Sequence, residues 1–380
     1  MQQTSAVWQY PVRPVSSAAG PVSASNSEVP GLPIVPPIGS PVEYRSLGRT
    51  GLQVSTLTMG TMLLHEIPDA ADAARLLDGA LDQGVNSIDT ANVYGRGASE
   101  ERLGQLLDRN GRRNRLVLAT KFHARMDDDD PNAAGSSRRH VIDACHESLR
   151  RLRTDHLDIY YMHRPTSRVP IDETLGALDD LVRAGKIRYV GTSSFAAWQL
   201  IESLWVSKEF HLSRVVVEQS PYSLVDRRVE RELLPMARTY GIGITVWSPL
   251  AGGLLTGKYS AENWPQDARF TSTPASLWEQ RHFTPSAKAL VDVVIDLAAQ
   301  KQCSPTQLSI GWILRRPGVS SVVLGVRNSQ QLQDQLGAVA VEFTDEELAR
   351  LDDIAPPGRA TVPYYLDDDF ADWSPALHRW

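Results

Sequence analysis

The feature that most constrains the fold is a regular alternation of short apolar stretches with segments of helical periodicity. Eight stretches have the length and composition of buried strands, at residues 55–59, 86–88, 116–120, 157–162, 187–191, 215–218, 242–247 and 319–324. Strands that alternate with helices run parallel, with the helices packed around them. We therefore predict an α/β fold, a (β/α)8 TIM barrel with enlarged loops over its C-terminal face. An open doubly wound sheet is the alternative.

Helical spacing and glycines divide the segments between these strands. Apolar residues recur on one face in residues 70–81 and 172–182, and glycines before the next strand mark helix ends at Gly84, Gly111, Gly185 and Gly241. The regular spacing breaks after residue 247. There a Gly- and Pro-rich stretch, 250–274, is followed by two predicted helices, 287–301 and 305–315, and a final helix is predicted over 345–354. One connection is thus enlarged, as is typical of a lid over a barrel's catalytic face.

Composition excludes several classes of protein. The chain has 380 residues, 22% of them charged, with a net charge of −6 and no block of Lys and Arg, so we expect no nucleic-acid partner. No apolar run is long enough to cross a bilayer and the first residues do not read as a signal peptide, so we expect no membrane association and a cytoplasmic location. Cys145 and Cys303 have no metal-ligand spacing, which predicts no metal site.

The ends of the chain differ from its middle. Residues 1–43 are rich in Pro, Ser, Ala and Val and predict a flexible or polyproline-like arm, either draped on the surface or docked on a neighbouring subunit. Residues 44–356 form the predicted barrel. Residues 357–380 are a tail whose aromatic residues either close over the barrel mouth or pack on its surface. The sequence does not predict the oligomeric state.

Four polar residues stand at the predicted strand ends. Asp89, Lys121 and His163 end or directly follow apolar stretches, and Tyr94 lies five residues past Asp89. Because a parallel barrel gathers these strand ends around one mouth, we expect the four side chains to meet there. Taken singly, each has an ordinary structural explanation: Lys121 as a surface lysine, for example, and His163 as a core histidine.

Together the four residues suit the transfer of a proton to a substrate oxygen. A phenol has an unperturbed pKa of about 10, and a neighbouring ammonium lowers it by stabilising the phenolate. A carboxylate paired with the ammonium fixes its position. A histidine beside the phenol donates a second hydrogen bond to an oxygen that gains negative charge. This pattern predicts the reduction of a carbonyl by hydride.

Residues 44–355 resemble the aldo-keto reductase family. The matching segments are residues 47–55, 60–62, 89–95, 148–158, 185–191, 218–222, 247–259 and 325–327. The resemblance implies that Tyr94 is the general acid, that Lys121 and Asp89 tune it, and that His163 orients the carbonyl of a small-molecule substrate. It also implies NADP(H) as cofactor, bound in extended form without a Rossmann fold.

The resemblance also assigns residues to the nicotinamide end of the cofactor. Trp247 matches the aromatic residue that stacks on the nicotinamide, while Ser193 and Gln219 match residues that hold its carboxamide. Ser194 stands where many members have Asn, which weakens one of these contacts. The full set of implied cofactor-binding residues is Gly60, Thr61, Met62, Asp89, Ser193, Ser194, Gln219, Trp247, Ser248, Pro249, Leu250, Gly252, Leu254, Lys258, Arg269, Gly325, Arg327, Gln331, Asp334 and Gln335.

Within that set the residues divide by the part of the cofactor they meet. Residues 248–258 match the pyrophosphate loop, and Arg269 matches the arginine of the lid. Arg327 would meet a 2′-phosphate, which favours NADPH over NADH, because a guanidinium pairs well with phosphate. Gln331, Asp334 and Gln335 match the adenosine end, with Gln335 standing where Asn is usual.

Three motifs have competing interpretations. Residues 252–259 fit most of a P-loop, but Tyr259 replaces the Ser or Thr that would hold Mg²⁺. Residues 95–100 make only a broken dinucleotide fingerprint, since Glu100 occupies the third glycine position. The acidic run 127–130 is interpreted as a solvated loop, with a substrate-facing loop for a hydroxyl-rich ligand as the alternative.

The substrate predicted from the weaker subfamily resemblance is a ketone on a polyhydroxylated or polycyclic ring, including a xenobiotic, with aromatic aldehydes as the fallback. A second function stays open, because potassium-channel β subunits of this family act as cofactor-sensing interaction modules. Those relatives resemble this chain with Asn at the position of His163, so His163 favours catalysis. An enoyl reductase ranks lower, since family members that reduce C=C bonds often have Glu there.

Overall fold

The computed structural model describes residues 42–259 and 284–361. The proposed arm up to residue 41, the lid arginine Arg269 and the tail beyond residue 361 lie outside the described residues.

Eight parallel strands close into a barrel, which confirms the predicted (β/α)8 fold. Two short antiparallel strands, β1 (Tyr44–Ser46) and β2 (Gln53–Ser55), precede it. The barrel strands are β3 (Leu57–Gly60), β4 (Ser87–Asp89), β5 (Val117–Phe122), β6 (Leu157–Met162), β7 (Ile187–Ser193), β8 (Val215–Pro221), β9 (Gly243–Trp247) and β10 (Val319–Gly325). Because β10 pairs with both β9 and β3, the sheet has no open edge, and the doubly wound alternative is wrong.

Helices cover the outside of the barrel. In the described part of the chain they are α1 (Ala70–Asp82), α2 (Ala98–Asn110), α3 (Arg138–Leu152), α4 (Ile171–Arg183), α5 (Ala197–Glu209), α6 (Leu233–Tyr240), α7 (Pro285–Gln300), α8 (Pro305–Leu314), α9 (Ser329–Leu336) and α10 (Asp345–Ile354). The helices α7 and α8 lie where the sequence predicted them, between β9 and β10.

Local chemistry sets the helix ends. The Asp69 carboxylate accepts a hydrogen bond from the amide of Ala71 at the start of α1, and Ser304 forms a capping box with Gln307 at the start of α8. Gly111 and Gly241 end α2 and α6 with φ of 62° and 67°, a left-handed conformation that glycine adopts without strain. The glycines at positions 111 and 241 were therefore correctly predicted to mark the ends of helices.

The β1–β2 hairpin, which the sequence analysis did not predict, closes the amino end of the barrel. The Arg45 guanidinium donates to the carbonyl of Val319, at the start of β10, over 2.9 Å. The amide of Arg49 donates to the carbonyl of Gly241, just before β9, over 2.9 Å. A Cβ on Gly48 would lie 2.5 Å from the Gly243 nitrogen, so only glycine fits this close approach.

Two apolar layers hold the barrel together. One lies inside it, where Leu47 of the hairpin turn and Val54 of β2 pack with Ile159, Tyr161 and Val217. The larger layer lies between the strands and the surrounding helices. Burying an aliphatic or aromatic side chain contributes about 1.5–3 kcal/mol, so the two layers fix the strand ends on which the polar residues stand.

A short C-terminal segment holds the loop that follows β8. The amide of Arg227 donates to the carbonyl of Arg359 over 2.8 Å, and the amide of Thr361 donates to the carbonyl of Val225 over 2.7 Å. The buried Arg227 guanidinium also donates to the carbonyl of Ala355 over 2.5 Å. This loop is therefore fixed by residues that lie more than 100 positions later in the chain.

Within residues 42–259 and 284–361, no helix combines the length and the apolar character needed to cross a membrane.

Candidate active site

The structure brings the four predicted proton-transfer residues together at the carboxyl end of the barrel. Asp89 is the last residue of β4, Lys121 is the next-to-last residue of β5, and His163 directly follows β6. Tyr94 begins the 3-10 turn Tyr94–Gly97 that leads from β4 into α2. Asp89, Lys121 and His163 therefore stand on or beside rigid strand ends, and Tyr94 stands in the turn that follows β4.

Lys121 lies next to both Asp89 and Tyr94 in this cluster. Its fully buried Nζ donates to Asp89 Oδ2 over 2.5 Å and to the carbonyl of Thr90 over 2.8 Å. The same atom lies 3.5 Å from the Tyr94 hydroxyl. Because removal from water penalises an unpaired charge heavily, the Asp89 carboxylate is what keeps this ammonium charged inside the barrel.

The second oxygen of Asp89 is also engaged. Gln219 Nε2, from β8, donates to Asp89 Oδ1 over 2.8 Å. The backbone of Asp89 receives two further hydrogen bonds of 3.0 Å on its carbonyl, from the amide and the hydroxyl of Thr61. Asp89 is thus fixed from three sides.

Tyr94 and His163 meet edge to face. Their ring centroids are 6.0 Å apart with an interplanar angle of 86°. Lys121 Nζ lies 5.2 Å from the Tyr94 ring centroid. The phenol ring therefore has both the ammonium and the imidazole as neighbours.

The direction of the Tyr94 pKa differs from the prediction. Burial raises the pKa of the phenol above its ordinary value near 10, and the Lys121 ammonium offsets only part of this rise. The predicted net lowering is therefore wrong, because desolvation of the phenolate outweighs its attraction to the ammonium. Below that raised pKa the hydroxyl keeps its proton and can donate it.

His163 and Lys121 are shifted in opposite directions. Burial, and then the charge of Lys121, hold the pKa of His163 well below its ordinary value near 6.5, so the imidazole is neutral at physiological pH. Burial opposes the charge of Lys121, but the Asp89 carboxylate and the Tyr94 oxygen outweigh it and raise the pKa of Lys121. The cluster therefore has one fixed cation, one neutral hydrogen-bond donor and one protonated phenol.

At the end of β3, the predicted cofactor residues Gly60, Thr61 and Met62 lie beside the Asp89 backbone. A Cβ on Gly60 would stand 2.5 Å from the Leu324 carbonyl oxygen of β10, so the strands approach closely here. The hydroxyl of Ser99 donates to the carbonyl of Thr61 over 2.5 Å and fixes the chain as it leaves the strand.

The predicted carboxamide residues lie at the ends of β7 and β8. Ser193, which is buried, ends β7, and the amide of the next residue, Ser194, donates to the carbonyl of Gln219 over 3.0 Å. Ser194 has φ of 63°, a left-handed conformation that is unfavourable for a residue with a side chain. The Gln219 amide is the one that holds Asp89, so the proton-transfer cluster and this predicted subsite share a side chain.

The predicted pyrophosphate loop follows β9. Trp247 ends the strand, Ser248 has φ of 56°, and a turn of 3-10 helix spans Ala251–Thr256. Pro249 and Leu250 directly precede this turn and Leu254 lies within it, with Gly252 and Gly253 at φ of 69° and 105°. Successive backbone reversals of this kind form concavities that suit anions.

Two cations near this turn, Lys258 and Arg327, repel one another. Partial burial, and then the charge of Arg327, lower the pKa of Lys258. Cations that repel one another are matched by an anion placed between them, so the donor chemistry of this region fits a phosphate group. Gly325, two residues before Arg327, faces open space, where an added Cβ would meet nothing within 4 Å.

The residues predicted to bind adenosine are engaged with the protein itself. Gln331 Oε1 accepts from the Arg327 amide over 2.9 Å, and Asp334 Oδ1 accepts from the Ser304 hydroxyl over 2.6 Å. Gln335 Nε2 donates to the carbonyl of Gly325 over 3.0 Å, while its Oε1 is buried without a partner among the described residues. These contacts order the end of β10 and the start of α9.

The acidic run 127–130 contacts neighbouring residues at several points. The Asp127 carboxylate accepts from the Asp129 amide over 2.9 Å, and the Asp130 carboxylate accepts from the Arg139 guanidinium over 3.0 Å. Asp128 Oδ2 lies 3.3 Å from Arg96 Nη2, in the loop after β4. These contacts fit the interpretation of an internally braced, solvated loop. Among the described residues, no cluster of His, Cys, Asp and Glu could hold a metal ion.

Two residues of the site were not singled out from the sequence. Arg164, next to His163, donates through Nη1 to Ser194 Oγ over 2.9 Å. Glu218, next to Gln219, is fully buried and accepts from the Thr192 hydroxyl over 2.5 Å and from the Phe195 amide over 3.2 Å. Burial raises the pKa of Glu218 to about 7. Their adjacency to two predicted site residues is the signal that could have found them.

Comparison with known proteins gives consistent matches. The sequence model of the aldo/keto reductase family matches residues 56–356. The chain is 37% identical over 333 residues to an uncharacterized oxidoreductase, YrpG, of Bacillus subtilis (strain 168), an alignment covering 85% of this chain and 99% of that protein. It is also 37% identical over 303 residues to a probable voltage-gated potassium channel subunit beta of Oryza sativa subsp. japonica, covering 79% and 92%. A putative voltage-gated potassium channel subunit beta of Schizosaccharomyces pombe is 35% identical over 322 residues, covering 82% and 93%.

The barrel and these matches together define an oxidoreductase scaffold. The chain belongs to the aldo/keto reductase family, which confirms the resemblance drawn from its motifs.

Proposed function

We propose that this protein reduces an aldehyde or ketone to the alcohol, with NADPH as hydride donor and Tyr94 as general acid. The observation that carries the proposal is the position of Lys121, whose buried Nζ lies 2.5 Å from Asp89 Oδ2 and 3.5 Å from the Tyr94 hydroxyl. A buried ammonium beside a phenol has a clear chemical use, because it stabilises the phenolate left after proton donation.

The side chains divide the work of the reaction. Tyr94, protonated at neutral pH, would give its proton to the substrate oxygen. His163, held neutral, would donate a hydrogen bond to the same oxygen as negative charge develops on it. Lys121 would stabilise the resulting phenolate, and Asp89 with Gln219 would keep Lys121 in position. Pre-positioned groups of this kind lower the barrier because they need no reorganisation during the reaction.

NADPH, when bound, supplies the hydride. We propose that Lys258 and Arg327 hold its phosphates, with the turn after β9 beneath them, and that Arg327 favours the 2′-phosphate form. Ser193, Ser194 and Gln219 would hold the carboxamide, and Trp247 would support one face of the ring. The mutual repulsion of Lys258 and Arg327 and the open space at Gly325 support this assignment.

We propose carbonyl compounds as the substrate class, including alicyclic, sugar-like and xenobiotic ketones. A second candidate is a cofactor-sensing interaction module with little turnover, favoured by the relatives that are named as potassium channel β subunits. His163 favours the reductase, because a histidine there can donate a hydrogen bond to the substrate oxygen as negative charge develops on it.

The test measures consumption of NADPH and of NADH against a panel of aldehydes, alicyclic ketones and keto-sugars. We expect turnover with preference for NADPH, and we expect Tyr94→Phe to remove most turnover while NADPH binding stays near the wild-type value. Tight NADPH binding without turnover of any carbonyl would favour the interaction module. Equal loss of binding and turnover in Tyr94→Phe would show that Tyr94 is structural.

A further inference from the structure

Arg164 connects the ends of three strands across the barrel mouth. It follows His163 directly after β6, and its Nη1 donates to Ser194 Oγ, after β7, over 2.9 Å. Its guanidinium carbon lies 5.8 Å from the ring centroid of Trp247, which ends β9. One side chain thus lies beside two residues of the proposed nicotinamide subsite, one assigned to the carboxamide and one to a face of the ring.

Ser194 needs such support because its backbone is strained. Its φ of 63° lies in the left-handed region, which is unfavourable for a residue with a Cβ. From the β8 side, the turn is held by the bond from the Ser194 amide to Gln219 and by the bond from the Phe195 amide to Glu218 Oε1. From the mouth side, the Arg164 guanidinium holds the Ser194 hydroxyl.

The charge of Arg164 also acts on the proton-transfer groups. It contributes to the low pKa of His163 and opposes the burial that raises the pKa of Tyr94. The other groups that face Tyr94 are Lys121, Asp89 and His163. A second cation near the phenol favours negative charge on its oxygen, which is the charge that develops when the proton leaves.

We infer that Arg164 is a positioning residue of this site, which holds Ser194 in its left-handed turn against the cofactor amide and adds positive charge that stabilises the Tyr94 phenolate. The inference rests on the proposed carbonyl reduction. Arg164 would act in two ways, through its hydrogen bond to Ser194 and through its positive charge. Different substitutions test these two actions.

Three variants separate these actions. Arg164→Gln removes the charge, Arg164→Lys keeps the charge with a different donor geometry, and Ser194→Ala removes the hydrogen bond while Arg164 stays charged. Two quantities are measured for each: the dissociation constant of NADPH, by fluorescence and without turnover, and the pH at which Tyr94 ionises. The second comes from the alkaline limb of kcat/KM and from near-ultraviolet difference absorbance against the same variant carrying Tyr94→Phe.

We expect Arg164→Gln and Ser194→Ala both to weaken NADPH binding, by about tenfold, the effect of losing a hydrogen bond to a charged group. Only Arg164→Gln should move the ionisation of Tyr94 to higher pH, because only it removes a cation. Arg164→Lys should leave that pH near the wild-type value.

A merely structural Arg164 would give a different result. If Arg164→Gln binds NADPH like the wild type and Tyr94 ionises at the same pH, the inference is overturned. If the wild-type protein binds NADPH but reduces no carbonyl, the proposed reaction fails. The binding and absorbance measurements then still decide the role of Arg164, because neither needs turnover.

Discussion

Gln219 Nε2 donates to Asp89 Oδ1 over 2.8 Å, joining two residues that are 130 positions apart in the sequence. The bond makes the carboxylate that holds Lys121 dependent on a side chain from the opposite half of the barrel. A change at Gln219 should therefore reach the proton-transfer cluster as well as the proposed carboxamide contact.

We expect Gln219→Met to lower both stability and turnover. Loss of the donor leaves a buried carboxylate oxygen unsatisfied, which costs about 1–3 kcal/mol in the free energy of unfolding. The matched control is Gln199→Met, because Gln199 is also buried and accepts a hydrogen bond of 2.9 Å from the Ala196 amide, away from the cluster. Denaturant unfolding should show a loss in both variants, while kcat should fall only in Gln219→Met. A fall of kcat in both would contradict this coupling.

Lys121 and Asp89 should be strongly coupled in stability. Because both are buried, Lys121→Met leaves an uncompensated carboxylate, and Asp89→Asn leaves an uncompensated ammonium. Each single change should cost about 3–5 kcal/mol in the free energy of unfolding, and the double variant should cost clearly less than the sum. Urea titrations of the four proteins measure this. Additive losses would show that the pair does not act as a unit.

His163 should stay neutral across the pH range of activity. Since burial and Lys121 hold its pKa well below the ordinary value near 6.5, the profile of kcat/KM should show no step there, and only the ionisation of Tyr94 should end activity at high pH. Nuclear magnetic resonance of the His163 ring, assigned by its absence in His163→Gln, tests this directly. A ring that titrates at 6.5 would contradict the assignment.

Removal of the His163 side chain should slow the reaction without weakening the binding of the cofactor. The loss of one preorganised hydrogen-bond donor to a developing oxyanion lowers kcat about 100- to 1000-fold. We therefore expect His163→Ala to lose turnover by that factor, while its dissociation constant for NADPH, measured by fluorescence, stays near the wild-type value.

Glu218 should make the free energy of unfolding fall as the pH rises from 4.5 to about 7. Burial raises the pKa of its carboxyl from 4.5 to about 7, so the folded protein binds this proton more tightly than the unfolded chain. Its contribution is fully present below pH 4.5 and is lost as the pH rises to about 7. Each unit of such a shift corresponds to about 1.4 kcal/mol, so the loss amounts to a few kcal/mol at most.

The measurement for Glu218 compares two curves of unfolding free energy against pH. Glu218→Gln has no group to ionise there, so its stability relative to the wild type should improve as the pH rises from 4.5 to 7. Parallel curves would show that the carboxyl is ionised throughout, held by the donors Thr192, Ser220 and Phe195.

Sequence periodicity was sufficient to predict the barrel, because short apolar-rich stretches alternate with segments of helical spacing and several helices end at a glycine. It failed at the first barrel strand. Ser55 was assigned to that strand, but it ends β2, and β3 begins only at Leu57. Strands of three residues are too short to show an alternation pattern, so the sequence analysis did not predict the hairpin that closes the amino end of the barrel.

At the site, the strand-end rule and the family motifs placed the residues but not their contacts. The bond between Gln219 and Asp89 depends on the register of strands on opposite sides of the barrel, which no local pattern encodes. The net pKa of Tyr94 depends on how completely burial removes its hydroxyl from water, relative to a cation 3.5 Å away. Both the Gln219–Asp89 hydrogen bond and the shifted pKa of Tyr94 arise only when the chain is folded.

The hairpin at the amino end of the barrel has a practical consequence. Barrel strands of six or seven residues, at about 3.3 Å per residue, separate the two ends by roughly 20 Å. The hairpin stands at the amino end of the barrel, whereas Asp89, Lys121 and His163 stand at the opposite end. A protein immobilised through a linker on Ser46, an exposed residue of the hairpin, would therefore present its reactive end away from the support, with access to the surrounding solution.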